Sequence, residues 1–279
     1  MKAGAFEYVR AGSVEQAIGL LVEHGAGAAL IAGGQSLLPA LNLRLSAPEV
    51  LIDIGRIGAL RGIVREGDVL RVGALTTYDM LLGSAEVARH APLVARALLD
   101  VAHPAIRSRG TIGGSLANAD PAAELPACMV AMGGRMVLEG PRGRRVVGVE
   151  AFFTGLFETA LARDEVLTGV EIDCIRPEER WGFQELARRS GDYAMVGLAA
   201  QGTLEAMRLA YFSVGARPTL AVAAAACLRE GVTEAALRGA CEALGRDLEP
   251  HGDLQASAET RLALAGVLLR RVAGAWRAA

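Results

Sequence analysis

The chain has 279 residues, of which 52% are hydrophobic, and a formal net charge of −2. This is enough for a substantial core in one large domain or two smaller ones. The charge gives no electrostatic reason to expect a nucleic acid or an anionic membrane as partner. Lys2 is the only lysine, which excludes a Walker-type phosphate loop and a lysine Schiff base.

Cysteine and histidine residues give no metal-binding pattern. The four cysteines are far apart without a C-x-x-C motif, and the four histidines form no ligand-spaced cluster. We therefore expect no metal, and four reduced thiols in a cytoplasmic protein. Neither a signal peptide nor an apolar run of about 18 residues is present, so we do not expect an integral membrane protein.

Helix and strand patterns alternate in the first part of the chain. Ser13 as N-cap and Gly25 as stop predict a helix that starts at Val14. Strand-like runs follow in "AALIAGG", "EVLIDIG" and "VLRVGALTTYDML", and residues 86–102 read as a second helical stretch. Such alternation predicts a core of mixed helices and strands.

The second half begins with a predicted helix start at Asp120-Pro121, because Asp is a good N-cap and Pro suits the first helical position. Pro126 inside this helix would kink or shorten it. After the strand "DEVLTGVEIDCI", the polar linker "RPEER" predicts a domain boundary near residue 176. Three strands and then Ala-rich helices from Thr219 onward predict an α+β tail domain.

A first glycine motif, Ala32-Gly33-Gly34-Gln35-Ser36, follows the strand "AALI". Consecutive residues without side chains let backbone N–H groups point outward together and form a concave anion site. An ordinary glycine turn is the alternative interpretation.

A second glycine motif, Thr111-Ile112-Gly113-Gly114-Ser115, closely precedes the helix start at Asp120. Free N–H groups and a helix dipole would both favour a pyrophosphate there. Neither motif is the dinucleotide pattern G-x-G-x-x-G. Two glycine pairs, each followed by a hydroxyl side chain, favour one extended diphosphate ligand over two unrelated turns. We expect a side chain added at Gly33 or Gly114 to occupy the space of this ligand.

A third segment, "RRSGDYAMVG", places Tyr193 at the start of an apolar strand. Tyrosine has a flat apolar face and a polar tip, so it can cover a planar ring system. A partly buried core tyrosine is the alternative interpretation.

Long stretches of the chain resemble the FAD-binding medium subunit of the molybdenum hydroxylases, and the carbon monoxide dehydrogenase branch in particular. The resembling segments run in order over nearly the whole chain: "AGGQSLLPALNLRL", "AHPAIRSRGTIGGSLANADPAAELPA", "FFTGLFETAL", "DEVLTGVEI", "RRSGDYAMV" and "GARPTLA". The resemblance implies an α+β fold. It comprises a two-part FAD-binding domain of the PCMH or vanillyl-alcohol-oxidase type in residues 1–176, divided into about 1–55 and 56–176. A small C-terminal domain of antiparallel sheet and helices would follow in 177–279.

The resemblance also implies roles for individual residues. In this family both glycine loops hold the FAD diphosphate, an acidic residue shortly afterwards binds the nucleotide portion, and a tyrosine lies beside the isoalloxazine. Tyr193 would be the catalytic contact, and the implied residues that bind non-covalent FAD are Ala32, Gly33, Gly34, Gln35, Ser36, Thr111, Ile112, Gly113, Gly114, Ser115, Glu124, Leu167 and Tyr193. Gln184 stands where many relatives have a lysine near the flavin, and Asn118 stands where histidine is common.

The function implied by the resemblance is electron transfer. The chain would be the FAD-carrying subunit of a heterotrimeric oxidoreductase and would pass electrons from a small [2Fe-2S] subunit to an external acceptor. Substrate oxidation would belong to a large molybdopterin subunit, and two trimers would form a dimer in the cytoplasm, associated peripherally with the inner membrane face. A stand-alone FAD-dependent oxidoreductase of the same fold and a flavin-free assembly scaffold are the two alternatives.

Overall fold

A computed structural model describes residues 2–276 of the chain, so Met1 and residues 277–279 of the predicted domains lie outside it. The described residues form sheets of three, five and four strands and a two-stranded hairpin. Helices accompany the three larger sheets. The predicted α+β class is therefore confirmed.

The first part of the chain is a small parallel sheet covered by a helix. Its elements are β1 (Glu7–Arg10), α1 (Val14–His24), β2 (Ala28–Ile31), α2 (Leu37–Asn42) and β3 (Val50–Asp53). β3 lies between β1 and β2 and pairs with both in parallel. The Ser13 hydroxyl accepts a hydrogen bond from the Gln16 N–H at 3.2 Å, and Gly25 ends α1 with a φ of 51°. Both predicted ends of this helix are confirmed.

The second part contains a five-stranded antiparallel sheet, with strand order β4-β5-β10-β6-β7, and several short helices. In chain order the elements are β4 (Ile63–Glu66), β5 (Val69–Gly73), α3 (Tyr78–Leu82), α4 (Ala85–His90), α5 (Pro92–Ala97), α6 (Pro104–Arg107), α7 (Ile112–Asn118), α8 (Glu124–Met132), β6 (Arg135–Gly140), β7 (Gly143–Gly148), α9 (Val149–Phe152), β8 (Phe153–Gly155), β9 (Glu158–Thr159) and β10 (Val166–Asp173). β10 is the central strand, and its pairing with β6 shifts register between Leu167 and Gly169.

Two helix predictions in this part need correction. The stretch predicted as one helix over 86–102 is two helices, because Pro92 has no N–H to donate and Ala91 leaves the helical region with φ −137° and ψ 55°. A helix does not begin at Asp120-Pro121. The Asp120 carboxylate instead accepts the Ala122 N–H at 2.9 Å in a tight turn.

The helix that follows this turn, α8, begins three residues later, at Glu124. Pro126 is its third residue and lies in the first turn, where backbone N–H groups have no partner within the helix. The proline therefore fits without breaking the helix.

The third part is an antiparallel sheet covered by three helices. It comprises β11 (Arg180–Ala187), β12 (Ala194–Gly202), β13 (Arg208–Phe212), β14 (Thr219–Leu220), α10 (Val222–Ala226), α11 (Glu234–Asp247) and α12 (Ala258–Ala275), with strands in the order β11-β12-β13-β14. The three predicted strands are confirmed. Thr219 starts a short strand instead of a helix, because β14 pairs with β13.

Both faces of this last sheet are buried. Val196 and Leu198 belong to the core shared with α10, α11 and α12, whereas Phe183 and Ala199 belong to the core of the second part. The linker near residue 176 connects β10 to β11, and the domain boundary there stays a prediction. No helix within residues 2–276 is long and apolar enough to cross a membrane.

Candidate functional site

The two glycine motifs meet in space although they are far apart in sequence. A Cβ atom at Gly33 would lie 2.8 Å from the carbonyl carbon of Arg109, closer still to its oxygen, and 3.2 Å from the Gly110 Cα. Only a residue without a side chain permits this approach. We predicted that a side chain at position 33 would occupy the space of the ligand. In the structure it would instead strike the backbone of Arg109 and Gly110, so the predicted reason for a glycine at this position is wrong.

Both motifs line one cavity of about 450 Å³. Twelve of the thirteen residues singled out from the sequence lie on its wall: Ala32, Gly33, Gly34, Gln35, Ser36, Thr111, Gly113, Gly114, Ser115, Glu124, Leu167 and Tyr193. The exception is Ile112, whose side chain is fully buried in the core of the second part. Ligand roles for the twelve stay predictions.

The first loop presents free donors. Among the described residues, no partner accepts a hydrogen bond from the backbone N–H groups of residues 33–36, and the Gln35 side chain donates to the Gly33 carbonyl at 3.1 Å. Gly34 has a φ of 73°, a conformation that a residue with a side chain rarely adopts. Successive free N–H groups at such a turn can hold an anion.

The second loop is built differently from the predicted nest of N–H groups. Gly113 donates its N–H to the Ala74 carbonyl at 2.9 Å, and Gly114 donates to the Thr111 hydroxyl at 3.1 Å. The Ser115 N–H bonds the Thr111 carbonyl at 3.0 Å as α7 begins. These N–H groups are already paired, so the loop contributes hydroxyl groups and a bare Gly114 Cα to the cavity instead.

The cavity wall carries acids but, within the described chain, no lysine, arginine or histidine. Its acidic residues are Asp120, Glu124 and Asp192. Burial, aided by the negative charges of Asp120 and Asp100, raises the pKa of Glu124 to about 7, although its position at the start of α8 favours the ionised form. Burial also raises the pKa of Asp120.

Two tyrosines lie on the cavity wall. Tyr193 is 63% exposed, so the alternative of a core tyrosine is excluded, and its hydroxyl interacts with Asp120. Tyr78 is buried, its hydroxyl interacts with Ser115, and burial raises its pKa to about 12. The sequence reading missed Tyr78, because nothing in "TTYDML" distinguishes it from a core aromatic.

The two departures from the family pattern lie in different places. Asn118 is on the cavity wall, whereas Gln184 is not. The next residue on β11, Glu185, has a raised pKa because it is partly buried and close to Glu124 and Asp100. Sequence reasoning missed this carboxyl group. No set of three or more His, Cys, Asp or Glu side chains within residues 2–276 is arranged to hold a metal ion.

Comparison with known protein families gives two matches that together span almost the whole chain. Residues 4–173 match the FAD-binding domain in molybdopterin dehydrogenase, and residues 181–275 match the carbon monoxide dehydrogenase flavoprotein C-terminal domain.

Individual proteins are similar over their full length. The carbon monoxide dehydrogenase medium chain of Hydrogenophaga pseudoflava is 37% identical, over 97% of this chain and 96% of the relative. The nicotine 6-hydroxylase medium subunit of Paenarthrobacter nicotinovorans is also 37% identical, over 97% of both chains. A solved structure of Hydrogenophaga pseudoflava carbon monoxide dehydrogenase superposes with a TM-score of 0.95 at 38% identity, over 99% of each chain.

Quinoline 2-oxidoreductase from Pseudomonas putida 86 superposes with a TM-score of 0.93 at 37% identity, over 99% of this chain and 98% of the other. Fold and matched domains define an FAD-binding oxidoreductase subunit. The chain belongs to the family of FAD-binding medium subunits of molybdenum hydroxylases, which confirms the resemblance seen in its sequence.

Proposed function

We propose that this chain holds FAD in the cavity between its two glycine loops and transfers electrons within a molybdenum hydroxylase. Electrons would come from a small [2Fe-2S] subunit and leave to an external acceptor. The main support is the convergence of both motifs on a single cavity, together with family membership. Its volume of about 450 Å³ lies in the usual range for cofactor sites, roughly 300–1,000 Å³.

The residues present fit the diphosphate of FAD. Four backbone N–H groups of residues 33–36 have no partner within the described chain, and the Thr111 and Ser115 hydroxyls lie on the same cavity wall. Since the wall lacks a cation, these dipoles would supply the attraction for the phosphates. Glycine at position 114 keeps the Thr111 hydroxyl accessible, because a Cβ there would lie 2.9 Å from that hydroxyl oxygen.

The remaining wall fits the other parts of the cofactor. Leu167 and Tyr193 offer an apolar side chain and an exposed aromatic ring, which suit the isoalloxazine. Glu124 and Asp120 offer carboxyl oxygens to ribose or ring donors. When bound, FAD supplies one- and two-electron chemistry, and the protein orients the ring and tunes its surroundings.

Partner subunits complete the proposal. Relatives that match over nearly their whole length are named as medium chains or subunits, which supports a large molybdopterin subunit and a small [2Fe-2S] subunit as partners, with two such trimers forming a dimer. The four cysteines, all unpaired in the structure, are consistent with a reducing cytoplasm, and the complex would contact the inner membrane face peripherally.

The first test is a titration of the purified chain with FAD, FMN and riboflavin, followed by flavin absorbance and fluorescence. If the first loop binds the diphosphate, FAD should bind far more tightly than riboflavin, which has the same ring but no phosphate. A protein that stays colourless with added FAD would contradict the proposal and favour a flavin-free scaffold. Equal affinity for FAD and riboflavin would contradict the assignment of the loops.

A second measurement separates the electron-transfer role from that of a stand-alone enzyme. The isolated, FAD-loaded chain should show no specific turnover of small organic substrates. The assembled complex should lose reduction of an external acceptor when its FAD is removed, while its iron–sulfur centres are still reduced by dithionite. Substantial, specific turnover by the isolated chain would overturn the proposal.

A further inference from the structure

A group of carboxyl side chains extends from the cavity wall to the place where α5 contacts both α8 and β11. Asp100 follows α5, Glu124 starts α8, and Glu185 lies on β11. Arg96 is the cation beside them, and its Nη1 atom is 2.5 Å from an Asp100 carboxylate oxygen. Arg96 also covers the Phe183 ring, with its guanidinium carbon 5.8 Å from the ring centre. This arginine is therefore engaged with Asp100.

One carboxyl oxygen of Glu185 has no hydrogen-bond partner among the described residues. Phe183 and Glu185 are two residues apart on β11 and so lie on the same face, and Phe183 belongs to the core of the second part. The Oε2 atom of Glu185 is buried and has no hydrogen-bond partner in the described structure. A buried carboxylate without a partner is costly, so the neutral form is favoured.

Glu124 connects this group to the cavity. It lies on the cavity wall and is one helical turn from Cys128, which is fully buried. Burial and the nearby charges of Glu124 and Glu185 raise the pKa of the Cys128 thiol well above its usual value. The thiol therefore stays neutral, and both carboxyl groups lie within electrostatic range of it.

The surroundings of Glu124 and Glu185 make it unfavourable for both carboxyl groups to be ionised at the same time. Burial, followed by the charges of Glu124 and Asp100, raises the pKa of Glu185 to about 8, and only Arg96 acts in the opposite direction. For Glu124 the corresponding value is about 7, again mainly through burial.

The other titratable groups near Glu124 do not offset the negative charge of its ionised form. Asp120 adds negative charge from the preceding turn. Tyr78 and Tyr193 lie on the same cavity wall. Burial and the charge of Glu124 raise the pKa of Tyr78, and partial burial with the charges of Asp120 and Glu124 raises that of Tyr193, so both stay neutral. Interacting groups of this kind lose their protons in successive steps, and the apparent pKa of each step belongs to the coupled groups together.

We propose that Glu124 and Glu185 together retain one proton at neutral pH, and that losing this proton weakens the binding of FAD. This inference rests on the proposed function, because it concerns the same cavity. The FAD diphosphate is anionic, and the described cavity wall offers it dipoles but no cation. Each further negative charge beside the cavity therefore opposes the phosphates.

Glu185 is then a positioning residue. It acts on the cofactor through Glu124 and does not line the cavity itself. The sign of the effect follows from proton linkage, because a complex that holds more protons than the free protein is weakened as pH rises. FAD affinity should therefore fall between pH 6 and pH 9.

The experiment measures the Kd for FAD by flavin fluorescence from pH 6 to pH 9 in the full chain. We expect the wild-type Kd to rise about tenfold, the change that corresponds to one pKa unit of coupling. Glu185→Gln keeps the shape but removes the group whose pKa is raised to about 8, so only Glu124, with a pKa of about 7, should remain to titrate. The Kd should therefore level off above about pH 8, where the wild-type Kd still rises. Glu23→Gln, an exposed change on α1, is the matched control and should follow the wild type.

A second readout is independent of the cofactor. The infrared absorption of protonated carboxyl groups in the apoprotein should disappear between pH 6 and pH 9 in the wild type, and this change should be smaller in Glu185→Gln. Identical Kd profiles for wild type and Glu185→Gln, or an infrared spectrum without a protonated carboxyl at pH 7, would overturn the inference. Absence of FAD binding at every pH would contradict the proposed function instead, and the infrared titration would still decide whether the proton is retained.

Discussion

Replacing Gly33 by alanine tests whether close contact between the two loops builds the site. The new Cβ would lie 2.8 Å from the Arg109 carbonyl carbon and 3.2 Å from the Gly110 Cα. These neighbours are backbone atoms, so they cannot move aside as a flexible side chain can. The two loops must separate by roughly 1 Å to restore ordinary contact distances.

The size of the effect follows from this displacement. Forcing an additional methyl group into a close-packed contact costs about 1–3 kcal/mol. If the separated loops no longer present their groups to one ligand, the same free energy appears as a loss of FAD affinity of about 5- to 150-fold. Some of the cost will also lower the melting temperature of the apoprotein, because the two loops contact each other without ligand.

The assay is a fluorescence titration of apoprotein with FAD, accompanied by thermal unfolding monitored by circular dichroism. Gly19→Ala on α1 is the matched control, because a Cβ there has nothing within 4 Å. It should bind FAD like the wild type and unfold at the same or a higher temperature. Gly114→Ala is the complementary variant: its Cβ would lie 2.9 Å from the Thr111 hydroxyl oxygen that caps α7. It should weaken FAD binding and, by disturbing this cap, lower the free energy of unfolding by about 0.5–2 kcal/mol.

A folded Gly33→Ala protein with wild-type FAD affinity and an unchanged melting temperature would show that close contact between the loops does not build the site. If Gly114→Ala also binds FAD normally, the cofactor does not lie between these loops.

Tyr193→Ala should change the stopped-flow rate of flavin reduction by dithionite by a larger factor than it changes the Kd for FAD, because an exposed ring can cover the flavin without anchoring the diphosphate. Tyr193→Phe keeps the ring and is the control; unchanged rates with weakened binding in the alanine variant would contradict this role. Tyr211→Phe should lower the free energy of unfolding by about 1–3 kcal/mol, measured by urea denaturation, because the buried hydroxyl donates to the Ala265 carbonyl at 3.0 Å. FAD affinity should not change in that variant, and a change would show that the C-terminal sheet influences the cavity.

Local signals in the sequence predicted local structure well. Ser13 and Gly25 mark the ends of α1 because capping and left-handed stops involve residues within one helical turn. Strand β10 follows from its own run of apolar residues. The same kind of signal failed at Asp120-Pro121, because a capping residue and a tight turn share the same residue preferences.

The sequence by itself determined which residues carry the cofactor signal: two glycine pairs, an acid and a tyrosine, in an order that resembles one family. Only the tertiary structure decided how they act. Gly33 faces backbone rather than ligand, and Gly113 gives its N–H to Ala74, because these contacts join segments far apart in the chain. Glu185 approaches Glu124 only after α5 packs against both β11 and α8. Such contacts produce no periodicity or residue spacing in the sequence, because they depend on how elements distant in the chain pack together.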